Sequence, residues 1–313
     1  MRAGLVALTI LKAVTMVATM PFSSQAADLS AIELGEGFFP EGIAADNRNN
    51  LYVGSLDGFG IVRIDAETGR METLVPGDSD GLASVLGLLA HDESNTLFAC
   101  SADPTGNRGG AVVSALFAFN LMTGETRGRY DLPGGGLCND LTRGDDGAIY
   151  VTDSFNPRIL ILKSGETALE PWIVSESFEG DGFNLNGIAL INGGIDVTKY
   201  NSGELFRIPI RPDGSAGDII SIPLLRPLQA PDGLTVRSSS ELLVVEGSGR
   251  LTSIRLKDGR AVLETLREGL DVPTTVAISG AVAWVVEGQL DHYFQPDDAG
   301  RPDIFRIQPV PLH

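Results

Sequence analysis

The sequence predicts an all-β protein, a six-bladed β-propeller whose ring is closed by its N-terminal strand. Three observations carry that prediction. A pair of short β-rich segments recurs six times from residue 40 onward, further segments of the same kind follow most pairs, and no stretch has the period of a long amphipathic helix.

Taken in order, the first residues differ in kind from the rest. Arg2 leads the apolar run "AGLVALTILKAVTMVATM", and Ser24 and Ala26 supply small residues of the sort a signal peptidase requires. Residues 1–26 are therefore expected to be a signal peptide cut near Ala26, leaving residues 27–313 as one exported domain, periplasmic or secreted. Lys12 interrupts the run and argues against a stable membrane span.

The stretch "LSAIELGEG", residues 29 to 37, precedes the repeats. These then read "EGIAADNRNNLYVGS" from Glu41, "LGLLAHDESNTLFACS" from Leu86, "NDLTRGDDGAIYVTD" from Asn139, "NGIALINGGIDVTK" from Asn186, "DGLTVRSSSELLVVE" from Asp232 and "TTVAISGAVAWVVE" from Thr274. Their starts lie 45, 53, 47, 46 and 42 residues apart. Alternating apolar positions and Gly/Asp/Asn turns mark antiparallel strands, and four strands in such a period make one propeller blade. The last unit ends at "DIFRIQPV" without a fourth strand, so the N-terminal segment is expected to supply it.

Composition narrows the partners. With 41 acidic and 23 basic residues, a formal charge of −18 repels nucleic acid and anionic membrane surfaces. The two cysteines, Cys100 and Cys138, either pair in an oxidising compartment or stay as separate thiols.

Blade symmetry brings the residues that open the innermost strands to one mouth of the central tunnel. Four of those six are Glu41, Asn139, Asn186 and Asp232, and three of the four precede glycine. Two carboxylates and two carboxamides, with neither thiolate nor imidazole, form a hard oxygen site. That chemistry suits calcium first and magnesium second. The long connections, 102–110, 175–183 and 288–302, fall on the same face and are expected to line or cover a pocket.

The motifs "FPEGIA", "CNDL", "LNGIAL" and "PDGLTV" resemble, in order and spacing, the metal-binding positions of the gluconolactonase, senescence marker protein and luciferin-regenerating enzyme family. Diisopropyl fluorophosphatase and the paraoxonases are its wider relatives. The resemblance implies that Glu41, Asn139, Asn186 and Asp232 ligate one catalytic divalent cation, with Asp232 also the candidate general base or nucleophile. It implies hydrolysis of a lactone, aryl ester or organophosphate. The paraoxonase histidine pair has no counterpart among the three histidines here.

Other residues have two readings each. Asp232 either ligates alone or also takes a proton. Asp140 either steadies a ligand from the second shell or caps a turn. Ser55, Ser101, Asp153, Lys199, Glu246 and Glu287 end the second strands as substrate contacts or as a solvated rim, with Lys199 a possible oxyanion partner. His292 either assists proton transfer or is an ordinary loop residue. "GDSDG" at 77–81 matches the serine-hydrolase pattern without its strand-to-helix context, and "GGG" at 134–136 lacks the rest of a phosphate loop.

The expected function is divalent-cation-dependent hydrolysis of a small ester-like substrate, a lactone favoured. The alternatives are a binding propeller stabilised by the same ion and a strictosidine synthase-like propeller that works without a metal.

Overall fold

A computed structural model describes Met1 and residues 29–106, 112–257 and 259–313. Apart from Met1, the expected signal peptide lies outside the described residues.

Strand β1 (Ile32–Glu33) comes first. Blade 1 is β2 (Pro40–Ala45), β3 (Asn50–Ser55), β4 (Ile61–Asp65) and β5 (Met71–Val75). Blade 2 is β6 (Ser84–His91), β7 (Thr96–Ala102), β8 (Ala115–Asn120) and β9 (Thr126–Asp131). Blade 3 is β10 (Cys138–Arg143), β11 (Ile149–Asp153), β12 (Arg158–Leu162) and β13 (Glu170–Val174). Blade 4 is β14 (Leu185–Ile191), β15 (Gly194–Lys199), β16 (Glu204–Pro209) and β17 (Ile220–Ser221). Blade 5 is β18 (Pro231–Ser238), β19 (Glu241–Glu246), β20 (Arg250–Lys257) and β21 (Arg260–Glu268). Blade 6 is β22 (Pro273–Ser279), β23 (Val282–Glu287) and β24 (Arg306–Pro311), with the short helices α1 (Leu290–Phe294) and α2 (Pro296–Ala299) between the last two strands.

The sixth sheet has the order β1-β24-β23-β22, with Ile32 opposite Ile307. The N-terminal strand thus completes the last blade, as the missing fourth strand predicts. Joining the first and last strands in one sheet ties the ends of the ring together, so the ring cannot open without breaking a sheet.

What holds the blades face to face is apolar. Each hydrophobic cluster spans a blade junction: Tyr52 and Ile61 of blade 1 pack with Leu97 and Phe117 of blade 2, and Trp284 and Ile307 of blade 6 pack with Leu51 and Ile64 of blade 1. The disulfide Cys100–Cys138 adds a covalent tie between β7 and β10 across the second junction.

At the axis, the six innermost strands share one irregularity. Each shifts register against its neighbour after its first one or two residues, between Pro40 and Ile43, Val85 and Leu88, Cys138 and Leu141, Leu185 and Ile188, Pro231 and Leu234, and Pro273 and Val276. A β-bulge re-aims the side chain it carries. Glu41, Asn139, Asn186 and Asp232 all sit in these bulges.

The following glycine is required by crowding. A Cβ on Gly42 would stand 2.0 Å from the Leu86 carbonyl oxygen, and one on Gly187 would stand 2.2 Å from that of Asp232. Adjacent blades therefore touch backbone to backbone at this level.

Candidate metal centre

The bulges bring Glu41, Asn139, Asn186 and Asp232 to the wall of one cavity of about 40 Å³ at the loop-rich mouth. All four are buried, between 4 and 5 % exposed. The approach to two of them is strained: Phe39 and Ala230, each directly before the proline that opens the strand of Glu41 or of Asp232, have φ of 43° and 48°. Left-handed backbone is costly for such residues, so surrounding packing must hold it in place.

Two of the four side chains keep an unpartnered oxygen. Asn186 donates its side-chain amide to Asp232, which also accepts from the Gly233 N–H. Asn186 Oδ1 and Glu41 Oε2 are buried with no hydrogen-bond partner. Burial raises the Glu41 pKa well above the usual carboxylate range, and the charges of Asp232 and Asp140 raise it further. Burial, then Asp140, does the same to Asp232.

Orphaned buried oxygens and mutually repelling carboxylates are what a bound cation would satisfy. The residues therefore fit a hard divalent ion. Among the described residues no group of three or more His, Cys, Asp and Glu side chains forms a metal cluster; here two carboxylates are completed by two carboxamides.

Asp140 faces the other way, into a second axial cavity of about 280 Å³. Its carboxylate accepts from the Leu141 N–H at 2.9 Å, from the Ile188 N–H at 3.1 Å and from the Leu234 N–H. Ile188 and Leu234 lie two residues beyond Asn186 and Asp232, so one buried carboxylate ties β14 and β18 to β10. Burial pushes its pKa up to about 7. Thr274 adds a matching tie, donating to the Glu41 carbonyl at 2.7 Å across the ring closure.

The side chains expected at the substrate are engaged with the protein itself. Asp153 is fully buried and accepts from the Leu137, Phe155 and Asn156 N–H groups, while Arg158 pairs with it at 2.9 Å. Lys199 donates its ammonium to the carbonyls of Ser177 and Glu179 at 3.2 and 2.6 Å, which holds it against the loop before β14. Glu246 accepts from the Gln229 N–H and pairs with Arg226, and Glu287 accepts from the Asp271 N–H. Ser101 accepts from the Ala83 N–H, and Ser55 donates to the Phe38 carbonyl. In every blade a residue at or next to the end of the second strand pins the segment leading into the innermost strand. These six form a ring of clamps.

His292 also turns away, its Nδ1 3.2 Å from the Gly300 carbonyl. Leu290 and Phe294, four residues apart on α1, line the cavity. At about 100° per residue, His292 between them faces the opposite side.

The cavity's remaining wall is one that side-chain type and spacing did not single out. Leu56, Leu86, Pro104, Phe183, Leu290 and Phe294 line it, with Tyr200 the one further polar side chain. Burial and then the Asp232 charge push the Tyr200 phenol up to about 12, so it keeps its proton. Pro104, Phe183, Leu290 and Phe294 come from the three long connections, as their length suggested; which side chains point inward did not follow from it.

Comparison with known proteins places this arrangement. Residues 26–64 match the family model "Strictosidine synthase-like, N-terminal", a span that includes Glu41. No curated protein matches the chain at the sequence level. Among solved structures, a gluconolactonase from Xanthomonas campestris aligns with a TM-score of 0.64 at 17% identity, covering 90% of this chain and 89% of its own. A luciferin-regenerating enzyme aligns at 0.64 and 13%, covering 90% of this chain and 95% of its own. A calcium-binding protein, regucalcin, from Agrobacterium tumefaciens str. C58 aligns at 0.64 and 14%, covering 90% and 94%. The relatives that the sequence motifs resemble are thus among the structural neighbours, and at these identities the likeness establishes the propeller fold.

Proposed function

We propose that this propeller is a divalent-cation-dependent hydrolase of small ester-like substrates, with calcium the favoured ion and a lactone the favoured substrate. One observation carries the reading: Glu41 Oε2 and Asn186 Oδ1 are buried without partners in a cavity that also holds Asn139 and Asp232. A folded protein leaves such atoms unpaired when something outside the chain completes them. The names of the structural neighbours, a gluconolactonase and a calcium-binding protein among them, support the same reading.

Glu41, Asn139, Asn186 and Asp232 hold the cation. When bound, it supplies Lewis-acid polarisation of the substrate's carbonyl or phosphoryl oxygen. Asp232 is the base: a carboxylate oxygen, held by the Asn186 amide and the Gly233 N–H, accepts the proton of an attacking water. Tyr200 stays protonated beside it and offers a hydroxyl for hydrogen bonding. Asp140 keeps the strands of Asn186 and Asp232 in register from below.

The strictosidine synthase-like match over residues 26–64 favours a second reading, a propeller of that kind acting without a metal. Metal analysis, followed by lactones, aryl esters and phosphotriesters with and without chelator, separates the two. Chelator-sensitive turnover that Asp232→Ala abolishes is the expected result. Full metal-dependent turnover by that variant removes Asp232 from the chemistry.

The apolar N-terminal run further supports export of a mature domain beginning near residue 27. No helix among the described residues is long and apolar enough to cross a membrane.

A further inference from the structure

The substrate class can be narrowed by what surrounds the four oxygen donors. With those donors committed to a cation, the wall left for a substrate is Leu56, Leu86, Pro104, Phe183, Leu290 and Phe294, plus the Tyr200 hydroxyl. A chain of aromatic rings covers this wall. Phe155 stacks on Phe183 at 5.5 Å, Phe183 meets Phe294 at 5.7 Å, Phe294 meets Tyr293 at 5.3 Å, and Tyr293 meets Phe39 at 5.1 Å. The arch runs from blade 3 to blade 1 by way of α1, directly over the mouth.

We propose that the site takes esters or lactones bearing a hydrocarbon side chain and rejects polyhydroxylated lactones, because the arch and the wall beneath it are apolar. This inference rests on the hydrolase reading of the same site.

Two physical arguments support it. A sugar-like lactone would bury several hydroxyls against a surface that offers one phenol, and each hydroxyl left unpaired costs roughly tenfold in binding. An alkyl or aryl group instead gains by displacing water from leucine and phenylalanine faces.

The arch must part to admit either class. A cavity of about 40 Å³ holds an ion and a few waters but no substrate of ester size. Opening would fall to helix α1, whose Tyr293 would release the Leu56 carbonyl it donates to. The segment carrying α1 is bounded by left-handed backbone, Gln289 at φ 48° and Gly300 at φ 80°. Its base is fixed by the Gln289 side chain, which accepts from the Asp303 N–H at 2.7 Å and donates to the Asp303 carbonyl at 3.3 Å. Phe294 at its tip is 38% exposed. A substrate's hydrocarbon would replace the contacts that the rings lose on opening.

The test compares γ-nonanolactone with glucono-δ-lactone on the calcium-loaded protein. A kcat/KM ratio of at least about 100 in favour of the alkyl lactone is expected, with a binding readout beside it. In calorimetry, the unreactive alkyl lactam should bind at least about tenfold tighter than a polyhydroxylated lactam. Phe294→Ala should erase most of the alkyl preference by weakening binding of the alkyl lactam; its melting temperature verifies folding. Equal binding of the two lactams, or faster turnover of glucono-δ-lactone, overturns the substrate class. Selective lactam binding without chelator-sensitive turnover of any ester overturns the hydrolase reading instead and leaves the ligand class standing.

Discussion

Glu41→Gln probes the centre without reference to any substrate. In the cation-free chain, Glu41 is buried with an unpartnered oxygen and faces the charges of Asp232 and Asp140. An isosteric amide removes one of three mutually repelling groups, and relieving a buried uncompensated charge stabilises by about 2 kcal/mol. For a domain of this size that is about 4 °C in Tm. Wild-type protein should gain from the ion instead: a cation at 100 times its Kd adds about 2.7 kcal/mol, or about 5 °C. The variant therefore melts higher than wild type in chelator and lower, or level, in excess calcium. The sign with pH follows from the raised pKa values of Glu41 and Asp232. Above their ordinary values of 4.5 and 3.8 the cation-free folded chain binds more protons than the unfolded chain, so its stability falls as pH rises. Chelated wild type should melt lower at pH 8 than at pH 5, with a shallower slope in the variant. Differential scanning calorimetry in chelator and in calcium reads all of this. A wild-type midpoint indifferent to the cation, or a variant that keeps the full calcium response, refutes the assignment of these oxygens.

Three further outcomes are expected. Glu246 is held down to about 2 by its bonds to Arg226, Thr252 and the Gln229 N–H, which together outweigh its burial. It therefore contributes about 3 kcal/mol above pH 4.5 that is lost as pH falls toward 2, and urea melts of Glu246→Gln should converge on wild type over that window. Reducing Cys100–Cys138, which closes 38 residues of sequence, should cost about 4 kcal/mol by chain entropy, read as the denaturation shift with and without reductant. Asp153→Asn should destabilise by about 3 kcal/mol, since it breaks a buried pair with Arg158, while kcat stays within about twofold of wild type; a large kcat loss in a fully folded variant would return Asp153 to the substrate.

Glu41, Asn139, Asn186 and Asp232 were legible before folding because the propeller repeats. A residue at a fixed place in each repeat must reach the same distance from the axis, so four oxygen donors in register converge whatever separates them along the chain. The missing strand of the last unit likewise named its own replacement, and Gly42 and Gly187 announced a crowded axis.

For Asp153, Lys199 and His292 the repeat gave a face but not a direction: Asp153 and Lys199 turn to loop backbone, and His292 lies on the side of α1 opposite Phe294. Sequence by itself determined the ring, its closure and the convergence of four oxygen-bearing side chains on one cavity, since all three follow from period and residue type. Tertiary structure alone decided the apolar arch, the clamps and the strand ties of Asp140. Those depend on which way side chains from unlike loops turn when they meet, and loops carry no period from which that can be read.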